Sequence, residues 1–486
     1  MNYTHDLIII GAGAGGLTTA AGCAQLGLKT ALIEREHMGG DCLHFGCVPS
    51  KTLIHTAGLF AAAAETGAYG NTSCAAPVVD MQAVNTRISR VIGAIAHHDS
   101  PERFRSLGAE VFLSAARFRN DHEVEVDGQV ISAKHIVIAT GSRTAVPPVP
   151  GLAESGYLTN RDVFSLAKLP GSLVVLGAGP IGVELGQSFA RLGSKVTLVD
   201  MAPRILPRDD DELAAVVAKR LQREDIDIIT NAKVTQVSTA GGTKQLSISG
   251  PQGEQLLEAE QILVAAGRTA NTDELNLEAT GIEAGRGGYI AVNNKLQSSR
   301  SHIYVVGDAN GAYPFTHVAG AEGALAVRRI ALHAGGTIDY RTVPWVSYTE
   351  PELASIGHSE ASAYEAGMTA RVVRQSFAGV DRAHAEEAAE GLMKIVLDNK
   401  DRVIGVQIAA HGAGELLPTA IVAVRGRRKF KDLSVGMLPY PTMNEVYGKA
   451  VSAERSPLLF NPRVRGVLRT LFRYRGTGPV TEVTNE

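Results

Sequence analysis

Two cysteines lie five positions apart in the segment Cys42-Leu-His-Phe-Gly-Cys47-Val-Pro-Ser-Lys51, and this spacing suits thiol redox chemistry. Four intervening residues allow two sulfurs to meet across one turn when the second cysteine begins a helix. Gly46 permits the tight backbone that this requires, and Pro49 is typical of a first helical turn. Because a helix N-terminus stabilises negative charge, it lowers the pKa of a thiol placed there. The segment therefore predicts a redox-active pair with a stabilised thiolate at Cys47.

The same cysteine pair is also compatible with two buried structural thiols or with half of a zinc site. Structural zinc sites take four ligands, with about two to four residues between paired cysteines. The chain has no second cysteine pair, so the sequence predicts no metal site. Of the other cysteines, Cys23 falls in a helix pattern typical of a core, and Cys74 is expected in a loop or at the surface. His44 either packs at the surface or tunes the neighbouring thiolates.

Two glycine-rich turns, at 11–16 and 177–182, each follow a short apolar strand and precede a helix pattern. Their glycines are Gly11, Gly13 and Gly16 in the first turn and Gly177, Gly179 and Gly182 in the second. In such a turn the first glycine makes the bend, the second lets the backbone approach a pyrophosphate, and the third lets helix and strand pack closely. The helix N-terminus then offers free N–H groups to the phosphates. The two turns predict two dinucleotide sites, most simply for a flavin and a nicotinamide.

An acid follows each glycine turn at the same offset. Glu34 follows Gly16 at the same separation in sequence as Asp200 follows Gly182. Each acid ends a second strand, where it can accept a hydrogen bond from a ribose hydroxyl. Asp200 would repel a 2′-phosphate, which favours NADH over NADPH, and Arg204 nearby would soften that preference.

The length and composition exclude several classes of protein. The 486 residues correspond to about three domains. A formal net charge of −3 lacks the basic excess of nucleic-acid-binding proteins, so we expect no nucleic-acid partner. The N-terminal segment has no cationic region, and no apolar stretch approaches the ~20 residues of a transmembrane helix. Four cysteines are too few for a disulfide scaffold of this size, and we expect a cytoplasmic location.

Seven ordered motifs resemble those of the pyridine nucleotide–disulfide oxidoreductase family, the group of lipoamide dehydrogenase, glutathione reductase and mercuric reductase. They are the turn at 11–16, GGDCLHFGCVPSK at 39–51, ATG at 139–141, the turn and helix start at 177–184, AAGR at 265–268, VGDA at 306–309 and YTEPELASIG at 348–357. The resemblance covers about residues 1–455. The cysteine motif and SFAGVDRAHAE at 376–386 look most like the mercuric-reductase-like branch.

This resemblance implies an α/β fold with two Rossmann-like dinucleotide-binding domains and a C-terminal α+β dimerisation domain. It also implies FAD and NAD(P)H as cofactors and an active site completed across a homodimer. The predicted division is an FAD-binding domain at 1–150 and 272–340, an NAD(P)H-binding domain at 151–271, an interface domain at 341–460 and a basic tail at 461–486.

The resemblance further implies roles for individual residues. Cys47 would lie against the flavin, and Cys42 would be the exposed interchange thiol that meets the acceptor. Lys51 would sit near the flavin N5 and pair with Glu184, while Asp308 would bind the ribityl chain. Further cofactor-binding positions in the matching segments are Gly40, Thr140, Gly141, Gly267, Arg268 and His317.

One segment departs from the family pattern. Most members end the interface domain with His-Pro-Thr-x-x-Glu, whose histidine is the base for thiol exchange, whereas this chain reads Tyr440-Pro-Thr-Met-Asn-Glu445. A phenol with a pKa of about 10 accepts a proton poorly at neutral pH, and it would leave Glu445 with a phenolic partner. Mercuric reductase resembles this chain in its tyrosine but also has a C-terminal cysteine pair, and no cysteine follows Cys74 here. Tyr440 is alternatively an interface packing residue.

Together these features predict an FAD-dependent oxidoreductase. Electrons would pass from NAD(P)H, with NADH preferred, through FAD to a Cys42–Cys47 disulfide and on to a disulfide, metal-ion or oxidant acceptor. Two alternatives stay open: a dihydrolipoamide dehydrogenase, which Tyr440 argues against, and a flavin redox sensor or membrane-associated interaction subunit.

The C-terminal tail lies beyond the resemblance. Residues 461–475 alternate arginines with apolar residues at helical spacing, which predicts a short basic amphipathic helix. Such a helix either docks on anionic lipid or an acidic partner, or packs on the protein's own surface with its arginines solvated.

Overall fold

The computed structural model describes residues 2–72, 78–434 and 436–476 of the chain, so Cys74 and the end of the tail lie outside the described residues. The chain forms two compact units. The first contains Met1–Arg208, Ala218–Val343 and Ser347–Thr349, and the second contains Asp209–Val217, Pro344–Val346 and Glu350–Glu486.

The first unit is built around a sheet of seven strands that begins with the apolar N-terminal segment. In spatial order the strands are Ala109–Leu113, Thr30–Glu34, His5–Ile10, Gln129–Ile138, Glu123–Val126 and Ala116–Phe118, with Ile303–Val305 also pairing with Gln129–Ile138. The strands around His5–Ile10 run parallel, with Ile8 opposite both Ala31 and Ile136. Leu7, Ile8 and Ile9 are fully buried, as expected of a strand covered on both faces.

A hairpin extends this sheet on its antiparallel side. Asp127 and Gly128 connect Glu123–Val126 to Gln129–Ile138, with φ angles of 51° and 72°. These left-handed angles are those of a two-residue hairpin turn, for which an Asp-Gly pair is a preferred sequence.

A second parallel sheet in the first unit repeats the same strand–turn–helix pattern. Its spatial order is Asp227–Ile229, Lys195–Val199, Ser172–Leu176 and Gln261–Val264. A three-stranded antiparallel sheet follows in sequence, formed by Lys233–Ala240, Thr243–Gly250 and Gly253–Ala259, and Ser142–Thr144 pairs with Arg268–Ala270. The predicted second dinucleotide-binding unit is thus confirmed as a parallel βαβ arrangement.

The helices of the first unit pack on these sheets and on one another. They are Ala14–Gln25, Gly40–His44, Cys47–Glu65, Met81–Ala96, Pro101–Ser106, Leu152–Ser155, Pro180–Leu192 and Thr316–Ile330, while Asp211–Arg223 belongs to both units. Met81–Ala96 and Pro101–Ser106 are separate helices because the side chains of Asp80 and Ser100 each cap a helix start.

The second unit is an antiparallel sheet with helices. The strand order is Pro344–Ser347, Glu352–Gly357, Val403–Ala410, Leu392–Leu397 and Arg371–Ser376, and the helices are Glu360–Glu365, Asp381–Ala385, Ala413–Arg425, Glu445–Leu459 and Pro462–Phe472. Its core includes Phe377, Met393, Ile408 and Tyr447. Among the described residues, no helix has both the length and the apolarity to cross a lipid bilayer.

Candidate active site

The two cysteines of the predicted redox pair lie together at a helix junction. Cys42 belongs to the helix Gly40–His44, and Cys47 begins the helix Cys47–Glu65. Both are free thiols, and their side chains are hydrogen-bonded to each other. Gly46 makes the sharp connection possible, because a Cβ there would lie 2.9 Å from the carbonyl oxygen of Asp41.

The two thiols differ in acidity. The hydrogen bond from Cys42 lowers the pKa of Cys47 to about 6, and Thr316 and the positive charge of Lys51 act in the same direction, against burial and the charge of Glu184. The same hydrogen bond, together with burial, raises the pKa of Cys42. At neutral pH, Cys47 is therefore the thiolate and Cys42 the protonated thiol that donates to it.

Lys51 and Glu184 form an ion pair close to the dithiol. Nζ of Lys51 lies 2.7 Å from Oε2 of Glu184, and it also lies 4.4 Å from the ring centre of Tyr348. The other carboxylate oxygen of Glu184 accepts the backbone N–H of Tyr348 at 2.9 Å. Because Glu184 is buried and both its oxygens are occupied, it fixes the position of the lysine ammonium, one helical turn beyond Cys47.

Thr316 and Tyr348 are contributions to this site that the sequence did not identify. Oγ1 of Thr316, the first residue of the helix Thr316–Ile330, lies 3.5 Å from Sγ of Cys47. No sequence pattern links a threonine so distant along the chain to a cysteine. Only the fold brings these side chains together.

The first glycine turn has the geometry of a phosphate loop. Gly11 has a φ of +104°, and a Cβ at Gly16 would lie only 1.9 Å from the Gly11 carbonyl oxygen. Space around Gly13 is open, with no atom within 4 Å of a Cβ placed there. Glu34 accepts the backbone N–H of Ala12 at 2.8 Å, which fixes the carboxylate beside the turn.

A cavity of about 610 Å³ adjoins this turn, and its walls suit the adenosine end of a dinucleotide. Its lining includes Gly11, Glu34, Thr140 and Asn271. The hydroxyl of Thr140 is buried and has no hydrogen-bond partner among the residues that the structure describes. Such a buried, unsatisfied polar group fits a site built for a bound ligand. Near the turn, a Cβ at Gly40 would press within 2.8 Å of Cα of Gly13.

Asp308 lies in a polar network of the first unit. Its carboxylate accepts the Ser142 hydroxyl at 2.5 Å, and Arg268 Nε donates to the same hydroxyl at 2.6 Å. Arg268 also donates to Asp41 at 2.9 Å. Burial raises the pKa of Asp308. This network joins the segments around Gly141, Gly267 and Asp308, which the sequence predicts as cofactor-binding.

Glu322 is a further residue that the sequence did not identify. Its carboxylate accepts the backbone N–H of Gly307 at 2.6 Å, the side-chain amide of Asn310 at 2.8 Å and the hydroxyl of Tyr340 at 2.5 Å. It is 1% exposed, and burial raises its pKa. Glu322 therefore orders the short segment that presents Asp308. The signal was an acid on an otherwise apolar helix face.

The second glycine turn repeats the geometry of the first. Gly177 has a φ of +112°, and a Cβ at Gly182 would lie 1.9 Å from its carbonyl oxygen. Asp200 accepts the backbone N–H groups of Ala178 at 2.6 Å and Ala202 at 2.7 Å. Space around Gly179 is again open. The two turns and their acids are thus built in the same way.

His317 and His44 both contact residues that are near them in sequence. The His317 ring is exposed and stacks on Phe315 with ring centres 5.4 Å apart. His44 Nε2 lies 2.9 Å from the carbonyl oxygen of Met38, to which it donates. This hydrogen bond holds the His44 side chain against the segment that precedes the helix Gly40–His44.

Tyr440 has a different partner from the one predicted. Its hydroxyl donates to Oδ2 of Asp381 at 2.7 Å, whereas the sequence predicted a pairing with Glu445; that prediction is wrong because Asp381 lies within reach from the segment 376–386. The hydrogen bond to Asp381 raises the pKa of Tyr440 and lowers that of the carboxyl. Tyr440, 72% exposed, is thus a hydrogen-bond donor at neutral pH.

Three residues of types that can bind a metal ion lie close together, away from the cysteines. Ligand atoms of Asp121, His122 and His302 lie within 4.8 Å of one another. The two imidazole rings are stacked, with centres 4.0 Å apart and planes 13° from parallel. Because a ligating lone pair lies in its ring plane, two stacked rings cannot both direct one at the same ion. The sequence prediction of no metal site therefore stays a prediction.

Comparison with known proteins decides the family. Residues 5–323 match the sequence profile described as pyridine nucleotide-disulphide oxidoreductase, and residues 343–451 match the dimerisation domain of the same group. This chain is a pyridine nucleotide-disulphide oxidoreductase. Both the resemblance inferred from the motifs and the predicted fold class are confirmed.

Individual relatives cover nearly all of the chain. Mercuric reductase of Bacillus cereus is 34% identical over 445 residues, 91% of this chain and 70% of the relative. Dihydrolipoyl dehydrogenase 2, mitochondrial, of Arabidopsis thaliana is 34% identical over 458 residues, 92% of this chain and 90% of the relative. The Cu(II) complex of the HOCl-induced flavoprotein disulfide reductase RclA from Escherichia coli has a TM-score of 0.82 and 29% identity, covering 91% of this chain and 99% of that one.

The chain is accordingly an oxidoreductase of a family that depends on FAD and NAD(P)H. The residues fit those cofactors. Two glycine turns leave open space at their second glycine, each beside a fixed carboxylate, and a cavity with an unsatisfied hydroxyl adjoins the first.

Proposed function

We propose that this enzyme transfers electrons from NADH to the Cys42–Cys47 pair and from there to a metal-ion, oxidant or disulfide acceptor. The observation that supports it most is the asymmetric dithiol. Cys47 is held as a thiolate by Cys42, Thr316 and Lys51, which is the arrangement that electron transfer through one sulfur and interchange through the other require.

The chain's own residues prepare this exchange. When bound, FAD supplies the hydride chemistry and accepts two electrons from NADH. Lys51, fixed by Glu184, places a positive charge near Cys47 and favours its thiolate. In the overall cycle, two electrons and one proton from NADH convert the Cys42–Cys47 disulfide into the Cys42 thiol and the Cys47 thiolate, and NAD⁺ is released. The reduced pair then passes two electrons and the Cys42 proton to the acceptor side and re-forms the disulfide.

The acceptor class follows from Tyr440. In exchange with a disulfide acceptor, a histidine would give a proton to the departing thiolate, whereas Tyr440 has a raised pKa and its hydroxyl already donates to Asp381. This supports a metal-ion or oxidant acceptor, which releases no thiolate that must be protonated. Similar proteins are named for mercuric reduction and for HOCl induction with bound Cu(II).

The acceptor is tested by measuring NADH oxidation with Hg(II), Cu(II), hypochlorite-oxidised thiols, glutathione disulfide and lipoamide. We expect turnover with a metal ion or oxidised species to exceed that with lipoamide by about tenfold or more. Rapid NAD⁺-linked oxidation of dihydrolipoamide would instead assign a dihydrolipoamide dehydrogenase. The variant Tyr440→His introduces an imidazole. It should raise the rates of thiol–disulfide exchange, measured with lipoamide and glutathione disulfide, and leave the rates with metal ions unchanged.

Preference for NADH is supported by the second turn. The carboxylate of Asp200 is fixed by two backbone N–H groups, and Arg204 donates to the carbonyl oxygens of Leu206 and Pro207. The guanidinium that could have bound a 2′-phosphate is therefore engaged elsewhere. We expect kcat/KM for NADH to exceed that for NADPH by about tenfold or more, and Asp200→Asn to reduce the ratio. Equal values for the two nucleotides would contradict this assignment.

We propose that the working form is a homodimer. The match of residues 343–451 to the family's dimerisation domain supports this assembly. Light scattering of the purified flavoprotein should give twice the 51.2 kDa chain mass. A stable monomer with full activity would exclude it.

A further inference from the structure

The segment after the family domains forms a helix of its own. It spans Pro462–Phe472 and begins at Asn461, whose side chain accepts the backbone N–H of Val464 at 3.0 Å. Proline at the first helical position suits this start. None of the residues of this helix is buried. The helix is therefore stabilised by its own capping residues, and the described residues of the chain do not cover it.

The helix has a continuous apolar face. Its apolar residues occupy an arc of about 140° at 100° per residue. They are Val464, Val467, Leu468, Leu471 and Phe472. Leu471 is 67% exposed and Phe472 is 59% exposed, and Phe472 stacks on the exposed Tyr474. An apolar face of this kind in water marks a contact surface.

The charge of the segment is entirely positive. Residues 461–476 contain five arginines and no aspartate or glutamate. The arginines are Arg463, Arg465, Arg469, Arg473 and Arg475. Among the residues that the structure describes, no ion pair engages them. Two copies of the helix placed against each other would bring ten arginines close, so self-pairing of this helix is electrostatically unfavourable and its complementary surface is anionic.

We propose that this helix lies flat on an anionic lipid surface. Its apolar arc would enter the boundary between headgroups and acyl chains, and Arg463 and Arg465, which flank the arc, would extend to the lipid phosphates. The exposed aromatic residues Phe472 and Tyr474 suit the same boundary. The enzyme would thereby be recruited to the membrane surface, independently of its redox reaction.

The test is co-sedimentation of the purified full-length flavoprotein with vesicles. We expect binding to phosphatidylcholine vesicles containing about one-third phosphatidylserine, none to phosphatidylcholine alone, and loss of binding at high salt. The variant Arg465→Glu/Arg469→Glu should reduce binding by about tenfold or more. The control Arg286→Glu/Lys295→Glu makes the same charge change at exposed positions of the first unit and should bind like the parent.

A second variant separates lipid from protein partners. Leu471→Glu should lose vesicle binding while the mass in light scattering and the NADH oxidation rate in solution stay unchanged. Dissociation of an oligomer by Leu471→Glu would show that the apolar face contacts a second copy and would overturn the proposal. Absence of vesicle binding, or equal binding to neutral vesicles, would overturn it as well.

Discussion

The thiolate of Cys47 depends on side chains from two separate parts of the sequence. Cys42 donates the main hydrogen bond, Thr316 lies 3.5 Å from the sulfur, and Lys51 adds a positive charge. The helix start at Cys47 was predictable from Gly46 and Pro49, whereas the contribution of Thr316 was not. Side chains far apart in sequence meet only through tertiary packing, which no local pattern encodes.

Removal of the interchange thiol should separate the two half-reactions. We expect Cys42→Ser to abolish acceptor turnover and leave reduction of the flavin by NADH intact, since Cys42 alone meets the acceptor in the proposed cycle. Stopped-flow absorbance and steady-state NADH oxidation measure the two steps. The matched control is Cys23→Ala, a fully buried cysteine of the first helix, which should keep turnover. Wild-type acceptor turnover in the serine variant would refute the dithiol route.

The acidity of Cys47 should be measurable in the reduced protein. Its pKa of about 6 lies below the ordinary 9.0, so the thiolate signal should persist as pH falls and disappear through about pH 6. The stability that this depressed pKa contributes is fully present above pH 9.0 and is lost as pH falls through 6.

Thr316 offers a direct test of this assignment. We expect Thr316→Val to raise the pKa of Cys47 by about one, because a hydrogen bond to a charged group contributes about 1.5 kcal/mol. Ultraviolet thiolate absorbance across pH gives the value. Thr52→Val, whose hydroxyl donates to Val48 instead, should leave it unchanged. A pKa near the ordinary value in the parent protein would contradict the described geometry.

At the scale of elements, the two strand–turn–helix units were largely predictable. The glycine spacing predicted the bend of each turn, and the equal offsets predicted an acid beside it. The hydrogen bonds from the backbone N–H of Ala12 to Glu34 and from that of Ala178 to Asp200 were not predicted. The short polar segments between elements were not predictable. Ser142, Arg268 and Asp308 are far apart in sequence, and their hydrogen bonds depend on how the strands are ordered.

Replacing two glycines of the second turn by alanine should affect different properties, stability in one case and nucleotide binding in the other. Gly182→Ala places a Cβ 1.9 Å from the Gly177 carbonyl oxygen, so we expect a loss of about 1–3 kcal/mol in unfolding free energy. Gly179→Ala meets no atom within 4 Å and should fold normally, but it should raise KM for NADH because its methyl group occupies the phosphate space. Thermal unfolding and NADH kinetics distinguish them, and unchanged KM in Gly179→Ala would argue against nucleotide binding at this turn.

At the scale of the whole molecule, the chain's path through the second unit was not predictable. Residues 209–217 belong to it although the sequence placed them in the nucleotide-binding domain. The buried Lys394 pairs there with Asp210 at 2.8 Å and with Glu360 at 2.8 Å, and Asp210 is far from it along the chain. An isolated lysine in an apolar strand gives no indication of a carboxylate so distant in sequence.

Loss of this buried cation should destabilise the second unit. Lys394 is 1% exposed and Asp210 is 2% exposed at their side chains, so Lys394→Met leaves a buried carboxylate unpaired and should cost about 3–5 kcal/mol. Urea unfolding measures it. The exposed Lys400→Met serves as the control and should change stability by less than about 0.5 kcal/mol. Equal effects of the two substitutions would show that the ion pair has no stabilising role.

The central claim is that a thiolate at Cys47 is in electronic contact with bound flavin. An anaerobic titration of the purified protein with NADH tests it most directly. We predict a yellow protein that, on two-electron reduction, gains a long-wavelength absorbance band from the contact between the Cys47 thiolate and the flavin. The variant Cys47→Ser should lack this band. A colourless protein, or full flavin bleaching with no such band in the parent, would contradict the account.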